Sequence, residues 1–277
     1  MRGRKGWSHE HHDNRDSLYR TAGRGGLMSI TITIDGKPCV CESGEYLLDV
    51  ARRNNVFIPT LCGSHLSLRG RGCCRVCVVE VIEHGRLKTV ASCIYPIERA
   101  CEVLTTSERI VQHRAMILAF LKRLAPDSTL IASMAKAYKA PEIARLMPRA
   151  DGGSCILCGL CVEACEALGT GAIAAMSRGI EKEIDTAYGK AAPACIGCKS
   201  CASVCPTDSI TFDEGEKTLH IWNQDFDLAC CDVCGEALGT IASLEHAAKT
   251  AGEELLYQCP EHRRKRTADA LAKTYGR

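Results

Sequence analysis

The 277-residue chain is nearly charge-balanced, with 35 Lys and Arg against 33 Asp and Glu for a net charge of +2, and it is 46% hydrophobic. That balance argues against a dedicated nucleic-acid binder, which is ordinarily clearly basic, and the composition is not that of a disordered chain. No run of about eighteen apolar residues is present, so no membrane-spanning helix is expected. The outlier is cysteine, with 20 copies beside an aromatic content of only 5%. A small core with many thiols is usually held together by something besides apolar burial. The cysteines cluster at Cys-x-x-Cys spacing, and the basic, His-rich N-terminus (Arg2, Arg4, Lys5, His9, His11, His12) lacks the apolar stretch of a secretory signal. Both features favour metal or cluster ligation in the cytoplasm over a disulfide framework.

Residues 1–28 are polar and Gly/Arg-rich and read as a disordered extension, with Met28 as a candidate initiator. The His9-Glu10-His11-His12 run has no other ligand nearby and is discounted. Ile30, Ile32 and Ile34 alternate with Thr31 and Thr33, the period of a half-buried strand. Asp35-Gly36 is a hairpin turn leading into a second strand through Pro38 to Glu42. A helix carrying Leu47, Leu48, Val50 and Ala51 follows, then a loop with Cys62, Cys73, Cys74 and Cys77. Strands are expected over Val76–Ile82, Leu87–Cys93 and Ala100–Leu104, giving a small sheet gripping one helix at 29–106. Ser107 caps a helix to Leu124, with Ile110, Ala115, Ile117, Leu118 and Leu121 at helical spacing. A second helix is expected over Thr129–Tyr138, completing a connector at 107–150. Residues 151–215 form the next unit and 216–277 a tail with a helix near Thr240–Thr250. The fold class is α+β.

The strongest signal is an internal repeat. Cys155, Cys158, Cys161 and Cys165 follow C-x2-C-x2-C-x3-C, and Cys195, Cys198, Cys201 and Cys205 repeat it, with Pro206 after the last. This is the signature of a two-cluster bacterial ferredoxin, in which the fourth cysteine of each run ligates the other cluster. One [4Fe-4S] cluster is therefore assigned to Cys155, Cys158, Cys161 and Cys205, and the second to Cys195, Cys198, Cys201 and Cys165. Gly159 and Gly197 relieve crowding where backbone N–H groups turn toward sulfur. Each run closes with a short apolar strand, Ala172–Ala175 and Ser209–Phe212. The second signal is Cys62, Cys74, Cys77 and Cys93. A long loop, a Cys-x-x-Cys and a distant fourth ligand suit a [2Fe-2S] centre near the surface. Zinc on the same four ligands is the rival, and Cys73 substitutes for Cys74 if the loop register shifts. Cys39, Cys41 and Cys101 read as buried small apolar residues.

The segments Ile58-Pro59-Thr60-Leu61-Cys62, Cys74-Arg75-Val76-Cys77-Val78-Val79-Glu80-Val81 and Ala91-Ser92-Cys93 resemble the N-terminal ferredoxin-like module of three related groups. These are the large iron–sulfur subunit of respiratory NADH dehydrogenase, the diaphorase subunit of NAD-reducing hydrogenases, and iron-only hydrogenases. Cys155 through Cys161, with Gly171-Ala172-Ile173 and Arg178-Gly179, is similar to their two-cluster module. The resemblance spans roughly 29 to 215. It implies a β-grasp [2Fe-2S] domain followed by a ferredoxin-type domain, in a subunit passing electrons between a flavin/NAD(H) module and another redox centre. Many members insert a further cluster, held by one histidine and three cysteines, between the two modules. The connector here has His113 and no cysteine, so that cluster is expected to be absent and His113 to be a helix-surface residue.

Cys231, Cys234, Cys259 and His262 form a third constellation, suited to tetrahedral Zn²⁺, with a further iron–sulfur cluster as the rival and Cys230 as an alternative to His262. The Arg263-Arg264-Lys265-Arg266 run reads as a solvated helix start. Gly169-Thr170-Gly171-Ala172-Ile173-Ala174 matches a loose dinucleotide pattern but lies in no βαβ unit, so nucleotide binding is rejected there. No catalytic residue is assigned. The expected function is a single-electron relay: a non-catalytic subunit between flavin/NAD(H)-binding subunits and a downstream redox subunit, cytoplasmic, with any membrane association through its partners. Arg69, Arg71 and Arg75 form a basic rim facing the flavin subunit. A free-standing polyferredoxin carrier and, further off, a redox-sensing regulator are the alternatives.

Overall fold

The computed structural model describes residues 29–63, 71–143, 145 and 152–275. The N-terminal extension, the histidine run, Met28 and Arg69 lie outside the described residues. The alternating isoleucines form β1 (Ser29–Ile34), which pairs antiparallel with β2 (Lys37–Glu42) from Ser29↔Glu42 to Ile34↔Lys37. This register turns Ile32, Ile34, Cys39 and Cys41 to one buried face. Next come β3 (Glu45–Tyr46), α1 (Leu47–Arg53), β4 (Val78–Glu83), β5 (Arg86–Ala91), β6 (Pro96–Ile97) and β7 (Glu102–Leu104). The main sheet has the order β2-β1-β7-β4-β5, parallel between β1 and β7 and antiparallel elsewhere. Leu47, Leu48, Val50 and Ala51 of α1 close an aliphatic core with Ile32, Ile34, Val79, Val81, Ile97 and Val103. β4 starts at Val78, two residues later than the sequence indicates, because Val76 and Cys77 are used in the turn that precedes it. Likewise β5 ends at Ala91, and Cys93 sits on a single 3₁₀ turn, Ser92–Ile94.

The connector is two helices, α2 (Glu108–Leu124) and α3 (Thr129–Ala137). Ser107 and Ser128 cap them, each hydroxyl accepting the N–H three residues on at 3.3 Å. Their buried stripe (Leu118, Leu121, Ile131, Ala135) joins Leu61 and Val76 of the first unit to Ile156 and Leu160 of the next in one continuous core.

Beyond it lie α4 (Leu160–Ala167), the short hairpin β8 (Ala174–Met176) with β9 (Glu183–Asp185), and α5 (Ser200–Ser203). Then follow β10 (Phe212–Glu214), β11 (Thr218–Ile221), β12 (Gln224–Cys230), β13 (Ala237–Thr240), α6 (Ile241–Ala251) and α7 (Pro260–Tyr275). The strands expected at Ala172–Ala175 and Ser209–Phe212 begin later. The N–H of Ala172 donates instead to Cys165 Sγ (3.1 Å) and that of Ser209 to Cys205 Sγ (3.3 Å). Strands β10 to β13 form one antiparallel sheet in chain order, so the boundary expected at 215 falls inside it. Leu219, Ile221, Phe226 and Leu228 of this sheet pack onto the cysteine repeat. No helix among the described residues is long and apolar enough to cross a membrane.

Candidate metal centres

Cys62, Cys74, Cys77 and Cys93 are all buried, between 0% and 4% exposed. Arg52 of α1 donates to Gly63 O (3.1 Å), pinning the loop just past Cys62. Ser92 donates through its N–H and hydroxyl to Cys77 O (3.2 and 2.9 Å), which brings Cys77 Sγ within 3.3 Å of Cys93 Sγ. Cys73, unlike the four, is exposed, with its Sγ 3.7 Å from Arg71 O. The loop has a support that reading the sequence missed. Arg114 of α2 is 2% exposed, and its guanidinium donates to Val76 O (3.1 Å), Val78 O (2.7 Å) and Thr105 O (2.8 Å). It thus grips the backbone on both sides of Cys77. Thr105 is held in turn by Asp35, which accepts its N–H at 2.8 Å. Burial pushes the Arg114 guanidinium below its ordinary value, while Tyr138, Cys77 and Asp35 nearby favour its charged form. Arg114 lies one turn after Ile110 and one before Leu118, so an arginine inside an apolar stripe was the available signal. His113 on the same helix is half-buried.

The eight repeat cysteines divide between two cavities. Cys155, Cys158, Cys161 and Cys205 line one of about 380 Å³; Cys195, Cys198, Cys201 and Cys165 line a tighter one of about 20 Å³. The fourth cysteine of each run faces the other run's cavity. The two loops follow one plan. Residues 157 and 159, and their repeat partners 197 and 199, all have positive φ: Leu157 53°, Gly159 75°, Gly197 63° and Lys199 59°. Glycine occupies one site of each pair, so the left-handed turns belong to the loop geometry and not to the glycines alone. At Gly197 space is also decisive, since a Cβ would lie 2.7 Å from Phe226 Cγ. Arg71, expected on a free rim, reaches across to the repeat. Its Nη1 donates to Gly159 O (3.4 Å) and lies 3.6 Å from the Glu163 carboxylate. Arg75 remains exposed. The Gly169–Ala174 segment packs on Cys165, through Thr170 Oγ1 (3.1 Å) and Ala172 N–H.

At the C-terminus, Cys231, Cys234, Cys259 and His262 come together with all four ligand atoms within 4.8 Å of one another. Cys231 and Cys234 sit in the turn between β12 and β13; Cys259 and His262 flank the start of α7. The Cys259 N–H donates to Cys231 Sγ at 3.4 Å and, with other backbone donors, holds that thiol down at about 6. Cys230 is half-buried in the β12 ladder opposite Ala237, outside this group.

Residues 28–108 match the 2Fe-2S iron-sulfur cluster binding domain family, and residues 154–209 the 4Fe-4S dicluster domain family. The chain carries two iron–sulfur domains. It is similar to subunits of NAD(P)-reducing hydrogenases and of NADH-ubiquinone oxidoreductase. With the NADP-reducing hydrogenase subunit HndD of Solidesulfovibrio fructosivorans it shares 30% identity over 226 residues, 71% of this chain and 37% of that one. With the NAD-reducing hydrogenase HoxS subunit gamma of Cupriavidus necator it shares 39% over 97 residues, 34% of this chain and 38% of the relative. With the 78 kDa subunit of NADH-ubiquinone oxidoreductase of Candida albicans it shares 33% over 103 residues, 37% and 14% of the two chains. The chain spans under two fifths of the length of each of these relatives. A crystal structure of an NAD⁺-reducing [NiFe]-hydrogenase aligns at a TM-score of 0.48 with 28% identity, covering 58% of this chain and 76% of that one.

The residues around these domains' cysteines fit iron–sulfur groups. Burial is the main cause that pushes Cys158 up to about 11, Cys161 to about 12 and Cys201 to about 11, so these thiols ionise readily only when a cation is present to compensate. In the first quartet Cys62 and Cys77 are held below the thiol range, chiefly by hydrogen bonds from Cys74 and Cys93 respectively, and Cys74 and Cys93 are pushed up in return. Four thiols competing for protons at one spot suit deprotonation by metal. Trp222, absent from the sequence-derived site, lines both repeat cavities, and its buried indole N–H is directed at Cys201, where it favours the thiolate, without closing a full hydrogen bond. A donor left this weakly paired costs stability in the bare protein, and the sulfur of a bound cluster or of its Cys201 ligand would satisfy it. It occupies the β11–β12 turn, where Trp222 and Asn223 have φ of 55° and 53°.

Proposed function

We propose that the chain is a non-catalytic electron-transfer subunit of a multi-subunit oxidoreductase, passing single electrons between an NAD(H)/flavin module and a second redox module. In this reading Cys62, Cys74, Cys77 and Cys93 hold a [2Fe-2S] cluster. Cys155, Cys158, Cys161 and Cys205 hold one [4Fe-4S] cluster, and Cys195, Cys198, Cys201 and Cys165 the other. Bound clusters supply one-electron redox chemistry at potentials tuned by charge, hydrogen bonding and exposure. The chain's own residues supply thiolates and N–H donors, keep water out, and fix the three sites close together. The observation that carries the proposal is continuity: Cys62 and Cys74 share one packed core with Cys158, Cys161, Cys165 and Cys201. Cys62 lies near enough to Cys158 for its charge to contribute to raising that thiol. A rigid core of this kind keeps donor and acceptor separations short and constant, as a relay requires.

The organisation is a [2Fe-2S] domain at 29–106, a helical connector at 107–150, a dicluster domain from 151 and a C-terminal metal-binding part. The cytoplasm, which keeps thiols reduced, is the compartment that suits these ligands. The names of the relatives support partner subunits that handle NAD(P)H. The test is Cys74→Ser in the intact complex. The binuclear EPR signal should vanish, the [4Fe-4S] signals should persist, and NADH-linked turnover should stop. Turnover that survives would put the [2Fe-2S] centre off the path. A lone monomer in native lysate would favour a diffusing carrier.

A further inference from the structure

The C-terminal quartet stands outside the iron–sulfur sites and differs from them in geometry. We propose that Cys231, Cys234, Cys259 and His262 hold a single tetrahedral Zn²⁺ ion, and that this ion fastens α7 to the sheet. The spacing decides between zinc and a further cluster. Cys259 Sγ lies 3.1 Å and Cys231 Sγ 3.6 Å from His262 Nδ1, and Cys234 Sγ lies 3.9 Å from Cys259 Sγ. Metal bonds of about 2.3 Å to sulfur and about 2.0 Å to nitrogen at tetrahedral angles place neighbouring ligand atoms about 3.5–3.8 Å apart. An iron–sulfur cage spreads its ligands over several irons and leaves no room for all four ligand atoms within 4.8 Å of one another. Among the described residues this is the quartet whose four ligand atoms all lie within 4.8 Å of one another.

The backbone is arranged as two knuckles. In the first, the N–H of Gly235, at φ 75°, donates to Cys231 O (2.9 Å) and closes the Cys-x2-Cys turn. In the second, Pro260 opens α7 and the N–H of Arg263 donates to Cys259 O (2.9 Å), so Cys259 and His262 lie one turn apart on one side. The Asp232 N–H donates to Tyr257 O (2.9 Å), joining the knuckles. Three thiolates and an imidazole fill the coordination sphere, which marks a structural ion. The need for it is visible: neither α6 nor α7 buries a residue, so apolar packing does not hold α7 in place.

This inference is independent of the electron-transfer reading. The test is metal analysis and zinc-edge X-ray absorption on the full chain isolated anaerobically. It should find about one zinc beside about ten irons, with three sulfurs and one nitrogen around the zinc. Cys234→Ser, at an exposed position, should lose the zinc, keep its iron and cluster EPR signals, and become sensitive to proteolysis after residue 240. Iron in excess of about ten with no zinc, loss of iron instead of zinc in the variant, or a shell of four sulfurs would each overturn the assignment. Zinc found without iron would sink the relay and leave this site standing.

Discussion

The two iron–sulfur regions are built on opposite principles. In residues 29–106 an aliphatic core of Ile32, Ile34, Leu47, Val50, Val79, Val81 and Val103 takes in Cys77 and Cys93, while Cys62 and Cys74 belong to the core shared with the repeat. In the repeat, the residues pointing inward are themselves the proposed ligands: Cys158, Cys161, Cys165 and Cys201 stand where a larger domain would place leucines, padded by Leu160, Ile173 and the β11–β12 hairpin. The first region is an ordinary fold with a metal loop attached. The second needs its inorganic centre to have a core at all, as small metal-dependent domains do.

Metal removal separates the two most strongly. After anaerobic chelation, amides of β1, β4 and α1 should retain hydrogen-exchange protection, while those of α4, α5 and β11 exchange freely. Equal loss in both regions would erase the distinction. A smaller effect is expected at the seam. Arg114→Met leaves three backbone carbonyls without their donor, at a cost of more than about 3 kcal/mol. Denaturant unfolding followed by the [2Fe-2S] absorbance should show that loss, with the [4Fe-4S] bands persisting to higher denaturant. The smallest effect belongs to the second region. Trp222→Phe keeps the aromatic packing and removes one donor, worth about 1 kcal/mol, so a [4Fe-4S] potential should fall by about 40 mV. Redox titration by EPR would read it. An unchanged potential would show that the indole N–H does not reach cluster sulfur.

The same contrast explains what was legible in the sequence. Alternation at Ile30, Ile32 and Ile34 and the Asp35-Gly36 turn announce β1 and β2, because a half-buried strand has a period that side chains display. The repeat spacing announced which cysteines share a cavity, Cys165 and Cys205 included. The exact strands near Ala172 and Ser209 were hidden, since their N–H groups are taken by cysteine sulfur and no apolar pattern records that. The β11–β12 hairpin was missed although Leu219 and Ile221 alternate with exposed neighbours, because its turn is Trp222-Asn223 and lacks the glycine that usually signals one. Arg71 looks like a rim residue in the sequence because its partners, Gly159 and Glu163, lie some ninety positions along the chain, a pairing that only the fold creates.

In the proposed relay twelve cysteines, eight of them buried and four half-buried, hold three clusters, two of which exchange their fourth ligands. Mössbauer spectroscopy of ⁵⁷Fe-enriched, anaerobically isolated protein, calibrated by total iron and sulfide, tests it most directly. About ten irons per chain, roughly one fifth in a binuclear site and four fifths in cubanes, is the predicted result. Colourless protein, or iron confined to a single cluster type, would contradict it.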